Sequence, residues 1–85
     1  MTTEFTFDDL KRLLVERIGM SEEEVGDDPS LKFDDMDLDS LAFEEIQLAL
    51  ENAYGFTISY EDAQTITTLG EAVDYTNRRL AEKAS

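Results

Sequence analysis

Apolar residues recur at helical spacing in three stretches of this chain, and a fourth, shorter helix is marked mainly by its cap. Leu10, Leu13, Leu14 and Ile18 share one face and predict a helix over 7–18. Thr6 is placed to cap it, Asp8 and Asp9 fall in its first turn, Arg17 falls in its last, and Gly19 can end it. A second helix is predicted over 41–54. There Ala42, Phe43, Ile46, Ala49, Leu50, Ala53 and Tyr54 fall on one stripe, and Gly55 follows as the stop. Phe56-Thr57-Ile58 then reads as an extended linker whose apolar residues plug the core. Ser59 can cap a short helix over 60–64, with Asp62 as the acid of a partial capping box. Thr68-Leu69-Gly70-Glu71 is a full capping box. A last helix follows it, with Leu69, Ala72, Val73, Thr76 and Leu80 inward and Tyr75 near the edge of that face.

The long connection over 20–39 contains Gly26, Pro29 and several charges. Connections of that length are uncommon in small domains, and are usually functional or disordered. Val25, Leu31, Phe33 and Met36 are spaced as pegs that could pin it to the helices, and Ser21-Glu22-Glu23-Glu24 has the pattern of one capped helical turn. The expected architecture is all-α: a four-helix bundle of three longer helices and one short one, with a long loop between the first two. At 85 residues the chain fits a single domain, 1–85.

Charge changes the picture. Asp and Glu number 21 against 7 Lys and Arg, histidine is absent, and the net charge is −14. Between Phe33 and Asn77 there is no base at all. Nucleic acid and anionic membrane are poor partners for such a surface, whereas a basic protein surface or a cation is a good one. Without cysteine there is neither a disulfide framework nor a thiolate metal site. No apolar run approaches the ~20 residues of a membrane span, and the first residues lack the pattern of a secretory signal. A cytoplasmic protein is expected.

The stretch Asp35-Met36-Asp37-Leu38-Asp39-Ser40-Leu41 lies where the long loop meets the best helix. Ser40 is thereby placed at a helix N-terminus, where backbone N–H groups and the helix dipole tolerate an anion. It is unsuited to be a catalytic nucleophile. No histidine exists to take its proton, Lys32 is the nearest base in sequence, and the flanks lack Gly-x-Ser-x-Gly. An EF-hand reading of Asp35, Asp37 and Asp39 fails too, because Ser40 stands where glycine is needed and Ile46 where a bidentate glutamate is needed. No dedicated metal site is expected. Leu41 and Leu48 lie seven positions apart, off the core stripe, with Glu44 and Glu45 between them. Together they form a small apolar face rimmed by acids, matched to a groove rimmed by Lys or Arg. From the residues alone, Ser40 is either an acceptor modified by another enzyme or part of an unmodified acidic adaptor for a basic partner or divalent ion.

Asp39-Ser40-Leu41, with an acidic loop before it and an acidic amphipathic helix after it, resembles the acyl carrier proteins. The resemblance continues through Leu48-Ala49-Leu50-Glu51, Tyr54-Gly55-Phe56, Glu61-Asp62-Ala63, Ile66-Thr67-Thr68 and Ala72-Val73-Asp74-Tyr75. The start Thr6-Phe7-Asp8-Asp9-Leu10, the segment Leu31-Lys32-Phe33-Asp34-Asp35 and the run Asp39-Ser40-Leu41-Ala42 look most like the stand-alone carriers of bacterial aromatic polyketide synthases. One departure is Asp37, where the family usually has glycine.

The resemblance implies a non-catalytic carrier, a monomer, whose Ser40 receives 4′-phosphopantetheine from a separate Mg²⁺-dependent phosphopantetheinyl transferase. Asp39 would contact that transferase or its metal. The arm's thiol would hold a growing polyketide as a thioester, with fatty-acyl or aminoacyl cargo as alternatives. Partners implied are a ketosynthase with its chain-length factor, an acyltransferase, a ketoreductase and a cyclase. Leu41, Glu44, Glu45 and Leu48 would meet their basic rims. Phe43, Ile46, Leu48, Ile66 and Val73 are implied candidates for lining a chain shelter, with plain core as the safer reading of each.

Overall fold

The structure is a computed structural model that describes residues 4–36 and 38–84. Helix α1, Phe7–Leu13, runs on into a π-helical turn, Leu14–Ile18. The short α2 spans Glu22–Val25, and a 3₁₀ turn spans Phe33–Met36. Then come α3, Ser40–Tyr54, the short α4, Tyr60–Thr65, and α5, Leu69–Ala84. The described residues form no β-sheet, and one isolated bridge, Lys32 with Thr68, is the extent of β pairing among them. The all-α bundle of three longer helices is therefore as the periodicity predicts, with α2 where the Ser21–Glu24 pattern puts it.

Local chemistry explains each start. Thr6 Oγ1 accepts from Asp9 N at 3.1 Å while Thr6 N donates to Asp9 Oδ2 at 3.1 Å. Ser21 with Glu24, and Thr68 with Glu71, make the same reciprocal pair. Ser59 completes only half of one. Its Oγ accepts from Asp62 N, but the Asp62 carboxylate turns away to Tyr75. Such caps contribute about 1 kcal/mol each. The π turn at the end of α1 was not foreseen. It arises where Gly19 N and Met20 N share the Leu14 carbonyl, at 3.1 and 3.3 Å.

The core gathers Phe5, Leu10, Leu14, Ile46, Leu50, Leu69 and Tyr75. Phe5 precedes every predicted element, yet it is pinned from both sides: its N donates to Asn77 Oδ1 and its carbonyl accepts from Asn77 Nδ2. Two positions depart from the helical-wheel expectation. Ala53 is exposed, at an open pocket between α3 and the first helix. Tyr75 is not at an edge but 3% exposed. Its ring meets Phe56 edge-on, and its hydroxyl has polar partners that make burial tolerable.

The long loop is ordered by three backbone hydrogen bonds to the start of α5 and the residues just before it. Phe33 N donates to Thr67 O and Leu69 N to Leu31 O, which together make the Lys32–Thr68 bridge, and Gly70 N donates to Pro29 O. Gly70 permits the closest of these approaches, since a Cβ there would stand 3.0 Å from the Pro29 oxygen. Val25, Phe33 and Met36 bury as the predicted pegs, and Leu31 half-buries.

Gly55 ends α3 at φ +73°, and Lys83 Nζ reaches the Tyr54 and Gly55 carbonyls there, at 3.2 and 3.3 Å. A Cβ on Gly55 would meet that Nζ at 2.8 Å. Gly55→Ala is therefore expected to cost about 1 kcal/mol. Thermal unfolding should show Tm lower by roughly 4–8 °C.

Candidate functional site

Ser40 is the first residue of α3, and Asp39 is its N-cap. The Asp39 backbone is extended and its Oδ1 accepts from Ala42 N at 2.8 Å, so the acid before the serine has a structural job. It satisfies one of the orphan N–H groups and leaves Ser40 facing out, and both residues are exposed. Asp37, the departure noted in the sequence, lies outside the described residues.

A cavity of about 350 Å³ opens beside Ser40. One wall is the first turn of α3, with Asp39, Ser40 and Phe43. The second is the end of the long loop, with Phe33, Asp34 and Leu38. The third is α4 and the residue pair after it, with Ala63, Gln64, Ile66 and Thr67. Phe43 and Ile66 both line this cavity, and Phe33 packs on Phe43 at 5.4 Å between ring centroids. Ile46 and Val73 do not line this cavity. Ile46 is 2% exposed in the core, two turns below the mouth, and Val73 packs half-buried on α5. Phe33, Leu38, Ala63 and Gln64 were not foreseen as liners. Phe33 was legible as a peg, but no periodicity links the loop to the far side of α3.

Thr67 is fixed from α5. Glu71 Oε1 accepts from Thr67 N at 3.0 Å, from Thr67 Oγ1 at 2.5 Å and from Thr68 N at 3.0 Å. The hydrogen bond from the Thr67 hydroxyl, followed by that from its backbone, holds the Glu71 carboxyl below its ordinary value of 4.5. The folded pKa is lowered, so the stabilisation is present above that ordinary value and is lost as pH falls through the lower folded one. Glu71→Gln should therefore differ most in stability from the wild type near neutrality. The difference should shrink in acid unfolding curves, and a constant difference across that range would refute the assignment.

The side chains around the cavity include the carboxylates of Asp34 and Asp39 and, among the described residues, no cationic group. Outside it, Leu41 is 72% and Leu48 54% exposed, and Glu44 and Glu45 are exposed between them. Leu48 therefore faces away from any chain shelter. Among the described residues neither glutamate forms an ion pair, while several of the bases are engaged elsewhere. Lys11 pairs with Asp27, Arg79 donates to Thr57 O, and Lys83 closes α3. Acidic charge on this face is thus left uncompensated. No helix among the described residues is long and apolar enough to cross a membrane.

The family model described as "Phosphopantetheine attachment site" matches residues 8–76. Several solved structures of an acyl carrier protein from Streptomyces coelicolor are also similar. The octanoyl form of the carrier from the actinorhodin polyketide synthase is 40% identical, with a TM-score of 0.81, over 96% of this chain and 98% of that one. The actinorhodin holo acyl carrier protein is likewise 40% identical, with a TM-score of 0.76 over the same shares. The 3,5-dioxohexyl form, a triketide mimic, is 40% identical with a TM-score of 0.79, again over 96% and 98%.

Proposed function

This chain belongs to the phosphopantetheine-attachment family and has an acyl carrier role, and on that premise we propose that it carries a growing polyketide on an arm esterified to Ser40. The observation that carries the reading is an exposed serine at the first position of α3, capped by Asp39, at the mouth of a partly apolar cavity. 4′-Phosphopantetheine is the group the family attaches, and the residues present fit it. Ser40 supplies the hydroxyl, exposure admits a transferase, and the cavity beside it receives the start of the arm or its cargo. When attached, the arm supplies a thiol that this cysteine-free chain lacks. What the chain itself does is tether, shield and present. Tethering raises the cargo's local concentration at each partner.

The polyketide assignment, over fatty-acyl or aminoacyl cargo, rests on the identity to the actinorhodin carrier. The cavity favours it as well, because Gln64 and Thr67 place polar groups beside Phe33, Phe43 and Ile66, where a chain bearing ketones finds both kinds of contact. Asp39, Leu41, Glu44, Glu45 and Leu48 form the docking face for the transferase and for synthase enzymes of the ketosynthase, acyltransferase, ketoreductase and cyclase kinds. The chemistry belongs to those enzymes. Incubation with coenzyme A, Mg²⁺ and a broad-specificity transferase should add one phosphopantetheine to the intact mass. No gain in folded protein, with the transferase active on another carrier, would overturn the attachment.

A further inference from the structure

Helix α4 forms one wall of the cavity yet spans only Tyr60–Thr65, too short to hold its own place. Extended residues flank it on both sides. Its polar anchorage comes from α5. Tyr75 OH donates to Asp62 Oδ2 at 2.7 Å, and Arg79 Nη1 donates to the same hydroxyl at 2.7 Å. The same Arg79 atom donates to Thr57 O at 2.9 Å, in the linker that leads into α4, and lies 3.9 Å from Asp62 Oδ2. The guanidinium also stacks over Phe56, at 5.2 Å, which holds it in register. One cluster on α5 therefore grips α4 and its entry. Ala63 and Gln64, next in sequence to Asp62, face the cavity.

We propose that Asp62, Tyr75 and Arg79 are positioning residues forming a latch on α4, and that the latch sets how well a chain tethered at Ser40 is shielded. This rests on the reading of the cavity as a chain shelter. With the latch closed, α4 stands against α3 and the thioester's chain is covered. With it released, Ala63, Gln64 and Ile66 move off as a unit and the chain is exposed for handover. Capture of Arg79 or Asp62 by a partner's own charges would release it, which links docking to presentation.

The test is hydroxylamine cleavage of the thioester on the full-length holo protein, loaded with either an octanoyl or an acetyl group. An acetyl group is too short to reach far into the cavity, so it reports the unshielded rate. In the wild type the octanoyl thioester should be cleaved more slowly than the acetyl. Tyr75→Phe keeps the buried ring and loses the hydroxyl. It should speed octanoyl cleavage by at least about tenfold, the scale of one lost hydrogen bond to a charged group, and leave acetyl unchanged. Asp62→Asn keeps an acceptor oxygen and should preserve most of the protection, while Asp62→Ala should lose it. Thr6→Ala, which removes the distant cap of α1, destabilises the fold without touching the latch and should leave the ratio alone. Equal octanoyl and acetyl rates in the wild type would sink the shelter reading itself. Protection that survives Tyr75→Phe, or that Thr6→Ala removes equally well, would sink the latch while leaving the shelter standing.

Discussion

Ser40→Ala is expected to abolish phosphopantetheine addition outright while leaving the fold intact. The separation of the two effects follows from where the hydroxyl sits. Ser40 is the first helical residue and exposed, and the cap that starts α3 is made by Asp39 with Ala42, not by Ser40. Removing the hydroxyl breaks none of the hydrogen bonds that hold the described residues. Alanine is also the better helix former, by up to about 0.5 kcal/mol. The variant should therefore unfold at the wild-type temperature or slightly above it. Its intact mass, after incubation with coenzyme A, Mg²⁺ and transferase, should stay that of the unmodified chain. A variant that still gains one phosphopantetheine would move the attachment to another hydroxyl, and the reading of α3 as the presenting helix would go with it.

What the sequence made legible was whatever depends on residues close together in the chain. The caps Thr6, Ser21, Ser59 and Thr68 are local hydrogen-bond chemistry, and each starts a helix where that chemistry predicts. Exposure of Leu41 and Leu48 follows from the 100° step of one helix. The serine at the start of α3 follows from the end of the acidic loop. What was missed joins distant elements. Lys83 lies near the end of α5, yet its amine closes the end of α3, a link that no local pattern along α5 carries. Tyr75 was placed at an edge because periodicity along α5 ignores Asp62, which gives its hydroxyl a buried partner. Burial first, and then that carboxylate, push the Tyr75 hydroxyl above its ordinary pKa, so it remains a donor. The cavity was only half legible for the same reason. Phe43 and Ile66 follow from the resemblance, but Phe33 and Leu38 reach the site only because backbone bonds carry the loop onto α5.

Glu45→Lys is expected to slow modification and acyl transfer by roughly tenfold at low salt without unfolding the protein. Glu45 is exposed and, among the described residues, unpaired, so the exchange should shift stability by no more than about 0.5 kcal/mol. At the docking face the arithmetic differs. A unit charge pair ~5 Å apart in a water-like dielectric is worth about 0.8 kcal/mol. Reversing one sign loses that attraction and adds an equal repulsion, about 1.6 kcal/mol in all, which is a little over tenfold. The loss should fall on the rate of association, since charges at the rim of an interface act mainly there. It should also fade in ~1 M salt, where the Debye length shrinks to ~3 Å. Leu48→Ala provides the contrast, because losing apolar contact should slow transfer at both salt levels. Steady-state kcat/KM of the transferase toward each variant, at the two salt levels, separates the cases. If Glu45→Lys matches the wild type at low salt, the acidic rim of α3 is simply a solvated face. If its defect persists unchanged in high salt, the lysine acts by obstruction and not by charge. A defect confined to low salt is the result that makes the uncompensated acids of α3 the steering element of this carrier.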